Sequence, residues 1–194
     1  MNLPNKLTVL RMALVPVFLI FMLVDAIPQN YLWALIIFAG ASFTDLLDGK
    51  IARKNNLVTD FGKFMDPLAD KILVMSAMVC FVGLYVAPAW VVILILAREF
   101  LVTSLRLIAA GQGNVIAADN LGKIKTVFQM LWVISSILRL SLLQHMPLTL
   151  LRVVVPFLNI LDIITFALMW LSVVLTVLSG FNYVWKNRAL LRDR

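Results

Sequence analysis

Four aspartates carry the first chemical suggestion in this chain: Asp45, Asp48, Asp66 and Asp70. The first two are three positions apart and the last two are four apart. Either spacing puts both side chains of a pair on one face of a helix. Asp45 lies eight residues before Arg53, about 12 Å along a helix at about 1.5 Å per residue. Half a bilayer's hydrocarbon core is about 15 Å. A charge at such depth costs about 2.5–3.5 kcal/mol on insertion scales, so it is read first as functional. Asp45 must line a water-filled cavity or bind a cation. Four converging carboxylates repel one another unless a cation lies among them, and hard oxygen donors of this kind suit magnesium or manganese. Two such ions about 3.5–4 Å apart clamp the oxygens of phosphoryl transfer. The plainer alternative is helix caps and surface charge. Its best case is Asp66, which precedes Pro67 as an N-cap precedes a first-turn proline.

A second group is basic. Arg98 and Arg106 fall inside an apolar run, and Lys123 and Lys125 open the next one. An intramembrane arginine needs an anionic partner, and a cluster of cations suits a phosphate-bearing substrate. Glu99 follows Arg98 directly, but successive residues point to different sides of a helix. It is therefore not expected to neutralise Arg98. The one histidine, His145, stands near Pro147 and far from the acids, so it reads as a loop residue. Cys80 has no partner for a disulfide, and no Cys/His metal spacing exists. Asp162 has no evident role beyond a cap or a local pair. Trp132 and Trp170 are expected to pack against neighbouring helices or lipid.

The elements that position these residues are apolar helices. Of 194 residues, 62% are hydrophobic and 14% charged, against about 45–50% and about 25% in soluble domains. The mean hydropathy is +0.99. Six apolar stretches follow one another: about 7–24, 31–54, 67–86, 90–110, 124–143 and a last one within 153–184. They imply an all-α, polytopic membrane protein. Six transmembrane helices would form one membrane domain over residues 1–194, with an active-site cavity open to the cytoplasmic side. Alternating the loops puts all 17 lysines and arginines except Arg139 and Arg152 on one side. The positive-inside rule makes that side cytoplasmic, with both termini there. Tyr31, Trp33, Tyr85 and Trp90 then fall at outer span ends, and Tyr183 and Trp185 at an inner end, as an aromatic belt requires. The first stretch lacks the small-residue cleavage site of a signal peptide. The net charge of +7 follows from topology rather than from nucleic-acid binding.

The acids and their neighbours form a longer pattern: Asp45-x2-Asp48-Gly49-x2-Ala52-Arg53-x8-Gly62-x3-Asp66-x3-Asp70. Every position matches the signature of the CDP-alcohol phosphatidyltransferase family, which this chain resembles throughout its length. Pro4, Asn5, Thr8 and Arg11 match that family's N-terminal pattern. The resemblance implies transfer of the phosphatidyl group of CDP-diacylglycerol to an alcohol, with release of CMP. It implies that Asp45, Asp48, Asp66 and Asp70 hold two divalent cations, Mg2+ or Mn2+, around the donor's diphosphate. Asp70 would also be the general base. Asn5, Thr8, Gly49, Ala52, Arg53 and Gly62 would surround CDP-diacylglycerol. A homodimer in a bacterial-type cell membrane is implied as well.

Ala97-Arg98-Glu99, Ser104-Leu105-Arg106, Gly122-Lys123-Ile124-Lys125-Thr126 and Met65-Asp66-Pro67-Leu68-Ala69-Asp70-Lys71 resemble the branch that uses glycerol 3-phosphate. Arg98, Arg106, Lys123 and Lys125 would then hold the acceptor's phosphate. The alternatives are another acceptor, inositol phosphate or phosphatidylglycerol, or a different class altogether, a divalent-cation transporter. A transporter needs a polar path through both leaflets, and the outer halves of these stretches hold almost no polar residues.

Overall fold

The computed structural model describes the backbone of residues 3–54, 60–111, 120–144 and 151–188. Side chains are described for residues 8–44, 71–109, 111, 120–144 and 154–188. Over these residues the protein is all-helical: α1 (Leu3–Leu23), α2 (Asn30–Lys54), α3 (Asp60–Gly83), α4 (Ala89–Gly111), α5 (Asn120–Gln144) and α6 (Leu151–Lys186). Number and order match the six apolar stretches. Three helices begin four or more residues earlier than hydropathy suggests, α5 among them at Asn120. α1 takes in Pro4 and Asn5, and α3 opens at Asp60, well before Pro67. Asp66 therefore lies inside α3 and does not cap it. Backbone hydrogen bonding continues through polar sequence, whereas hydropathy marks only the portion suited to lipid.

Local chemistry explains the turns. After α3, Val86 N–H donates to the Phe81 carbonyl at 2.9 Å, and Tyr85 takes a left-handed φ of 57°, the geometry that commonly closes a helix. Pro88 then precedes α4, where its missing N–H costs nothing. Asn30, at the start of α2, accepts from the Tyr31 N–H at 2.9 Å through its side-chain oxygen.

α1 packs on both α2 and α3, α2 on α5, α5 on α6, and α4 on α6 and α3. Phe18, Phe38, Phe81, Ile95 and Trp132 meet in the core with no exposed surface. The Phe81 and Trp132 rings meet edge to face at 5.8 Å. Outside, the surface is apolar as well: Ile163, Phe181 and Ile93 are 70%, 69% and 64% exposed. Such a surface suits lipid rather than water. Among the described residues α5 and α6 hold segments long and apolar enough to cross a membrane. Trp33, Trp90 and Trp185 face outward as belt residues should, but Tyr183 does not, being buried beneath α4.

Candidate active site

The aspartates fall on two helices that touch, α2 and α3, joined by residues 55–59. Asp45 and Asp48 lie in the last turns of α2, and Asp66 and Asp70 in the first turns of α3. The side chains of Asn5, Asp45, Asp48, Gly49, Ala52, Arg53, Gly62, Asp66 and Asp70 lie outside the described residues. Their backbone positions are all helical. Thr8 and Arg11, of the N-terminal pattern, are buried on the helix that packs against both α2 and α3.

Immediately after Asp70, the described side chains form a charged cluster. Lys71, from α3, lies 3.2 Å from Glu99 Oε2 of α4 and donates to Thr103 Oγ1 at 2.6 Å. Lys125, from α5, donates to Glu99 Oε1 at 2.7 Å. Arg98 donates to the same oxygen through Nη1, also at 2.7 Å. The inference that Glu99 could not serve Arg98 is thus corrected. Adjacent Cβ atoms do diverge, but an arginine stem is long enough to bring its guanidinium round to the neighbouring carboxylate. Glu99 and Lys125 are both buried, and a pocket of about 40 Å3 opens between them, Lys71 and Gln129.

Arg98 reaches this place through two glycines. A Cβ on Gly180 of α6 would lie 3.0 Å from Arg98 Cγ, and one on Gly122 of α5 would lie 3.4 Å from Arg98 Nη2. At Gly180 a side chain would press on the Arg98 stem, which would have to give by a few tenths of an ångström, whereas at Gly122 it would meet the guanidinium in ordinary contact. Arg106, further along α4, lies over the Tyr183 ring at 5.5 Å and donates through Nε to its hydroxyl at 3.3 Å.

Of the four basic residues singled out in the sequence, the structure joins Arg98 and Lys125 on one carboxylate. Arg106 is seated separately on Tyr183, and Lys123 is exposed. Lys71, Glu99, Thr103 and Gly180 were missed. Lys71 and Glu99 carried a usable signal, because ionisable groups within apolar helices are functional candidates by default; Gly180 carried none. The contacts bring the middle of α3, the middle and last turns of α4, the start of α5 and the last part of α6 together.

Towards the other end of α5, Arg139 pairs with Asp162 of α6 through Nε and Oδ1. That supplies the account Asp162 lacked. The pair lines a larger cavity of about 460 Å3 with Tyr85, Trp132, Phe166 and Trp170. His145 lies outside the described residues.

Known proteins resemble this chain over most of its length. The model of a family described as CDP-alcohol phosphatidyltransferase matches residues 1–178. A CDP-diacylglycerol–glycerol-3-phosphate 3-phosphatidyltransferase of Bacillus subtilis is 46% identical over 98% of this chain and 97% of its own. A protein of the same name from Rickettsia bellii is 38% identical over 94% and 93%. A probable phosphatidylglycerophosphate synthase of Mycobacterium tuberculosis is 40% identical over 94% of this chain and 80% of its own.

Proposed function

This chain belongs to the CDP-alcohol phosphatidyltransferase family, and we propose that it transfers the phosphatidyl group of CDP-diacylglycerol to sn-glycerol 3-phosphate. The products are phosphatidylglycerophosphate and CMP. The observation that carries the choice of acceptor is the convergence on Glu99 of Arg98, Lys125 and Lys71, the residue that follows Asp70 in sequence. Three cations gathered around one carboxylate suit a phosphate-bearing alcohol. Choline, ethanolamine or serine would not call for them.

The family works with divalent cations. Asp45, Asp48, Asp66 and Asp70, with their all-oxygen donor set, would hold two, Mg2+ or Mn2+. When bound, these ions supply Lewis-acid stabilisation of the donor's diphosphate. The protein's own groups do the rest. Asp70 takes the proton of the acceptor hydroxyl as its oxygen forms a bond to the phosphatidyl phosphorus. The bond to the CMP oxygen breaks, and CMP leaves with that electron pair. Asn5, Thr8, Gly49, Ala52, Arg53 and Gly62 surround the donor, the glycines allowing close approach to the helices. Arg98, Arg106, Lys123 and Lys125 hold the acceptor phosphate, Arg98 and Lys125 at its centre and Lys123 at its rim.

The setting we propose is a multi-pass protein of a bacterial-type cell membrane, with both termini and the active-site cavity on the cytoplasmic side and with a homodimer as the assembly. The apolar outer surface supports the membrane setting. The deciding experiment is an acceptor panel: purified protein, CDP-diacylglycerol and magnesium, with CMP release measured for each alcohol. CMP release with glycerol 3-phosphate is expected to exceed that with inositol phosphate or phosphatidylglycerol. A preference for either of the others would overturn the assignment.

A further inference from the structure

Glu99 stands outside the signature, yet it is the most connected charged side chain among those described. Oε1 receives both Arg98 and Lys125 at 2.7 Å, and Oε2 lies 3.2 Å from Lys71. The three cations come from α4, α5 and α3. Lys71 is also held by the Thr103 hydroxyl, which itself donates to the Glu99 backbone carbonyl at 2.7 Å. One turn of α4 thus fixes the ammonium that follows Asp70 in sequence.

The charge count separates two purposes for this arrangement. Neutralising a buried carboxylate takes one cation, and a staple between helices is best left neutral. Among the described side chains three cations surround one anion, so within this cluster two positive charges remain in a largely apolar setting. That surplus matches a phosphate monoester, which carries about −1.5 to −2 near neutral pH. Donors remain as well. Among the described residues Arg98 uses one of its N–H groups on Glu99, Lys125 uses one, and Lys71 uses two, of the five on a guanidinium and three on an ammonium. The pocket of about 40 Å3 between Lys71, Glu99 and Lys125 has room for about three water molecules, comparable to a phosphate group.

We propose that Glu99 is a positioning residue: it gathers Lys71, Arg98 and Lys125 against their mutual repulsion so that the remaining donors of Lys71 and Lys125 face the acceptor's phosphate in the pocket they line, with the charge of Arg98 behind them. Lys71 thereby joins the acceptor site. The inference rests on the reading of glycerol 3-phosphate as acceptor.

Its test is steady-state kinetics on the purified full-length protein with magnesium, varying each substrate in turn, for Glu99→Gln and Glu99→Asp. The first keeps size and removes charge; the second keeps charge and withdraws it by one methylene. Glu99→Gln is expected to raise the KM for glycerol 3-phosphate about tenfold or more while kcat and the KM for CDP-diacylglycerol stay close to wild type. Glu99→Asp should fall between. Inorganic phosphate should compete with glycerol 3-phosphate in the wild type and do so more weakly in Glu99→Gln. An unchanged acceptor KM would overturn the proposal. So would a rise in both KM values together with a lower thermal midpoint, the mark of a helix staple alone. Should Glu99→Gln not fold, Glu99→Asp decides, a selective rise in acceptor KM supporting the role and a wild-type value removing it. Failure of the acceptor reading is told apart because it shows in the unmodified protein, as no CMP release with glycerol 3-phosphate.

Discussion

Lys123 and Lys125 are two residues apart and chemically identical, but they should respond very differently to the same substitution. Methionine keeps the unbranched stem of lysine and removes its ammonium. Lys125 is 1% exposed and donates to Glu99 at 2.7 Å. A hydrogen bond to a charged group contributes about 1.5–3 kcal/mol, and removing one member of an isolated buried ion pair costs about 3–5 kcal/mol. Glu99 retains Arg98 and Lys71, so its charge is not stranded and the lower range applies. At about 1.4 kcal/mol per factor of ten, Lys125→Met should weaken acceptor binding about 10- to 100-fold. Lys123 stands about 200° round the helix from Lys125 and is exposed, so Lys123→Met should change it about twofold or less. The assay is CMP release, with glycerol 3-phosphate varied at saturating CDP-diacylglycerol and then the converse. Equal acceptor KM values for the two variants, or the larger loss at Lys123, would refute this reasoning.

Asp45→Asn and Asp48→Asn should each remove most activity without unfolding the protein. Chelator should silence the wild type until magnesium or manganese is restored, and full turnover in excess chelator would sink the two-cation reading. Gly180→Ala places a Cβ 3.0 Å from Arg98 Cγ, mid-stem rather than at a mobile tip. Arg98 must therefore shift, and the acceptor KM should rise selectively; an unaltered value would show that Arg98 does not depend on that space. Arg139→Met should lower the thermal midpoint in detergent and leave both KM values alone, because its pair with Asp162 lies at the far end of the bundle. A selective kinetic effect there would mean that the far pair bears on catalysis. A reporter fused to the C-terminus should read as cytoplasmic, and an outer reading would mean an odd number of spans.

Much of this protein was legible without coordinates. Six apolar stretches became six helices because about 20 apolar residues in a row leave a chain little alternative. The placement of the aspartates on two successive helices was legible because their spacing is local: three and four along one helix, with a short connection between α2 and α3. Hydropathy misplaced the start of α3, since a helix persists where its backbone bonds persist, whatever the polarity of its side chains. The basic residues were legible as a set but not as a site. Residue type and position could not show that Lys125 is buried and Lys123 exposed, because that depends on which face of α5 meets its neighbours. Nor could they show that Glu99 joins three helices, that Arg98 passes between Gly122 and Gly180, or that Arg139 finds Asp162. Those pairings cross between helices, at separations fixed by how the helices pack, and only the tertiary structure decided them.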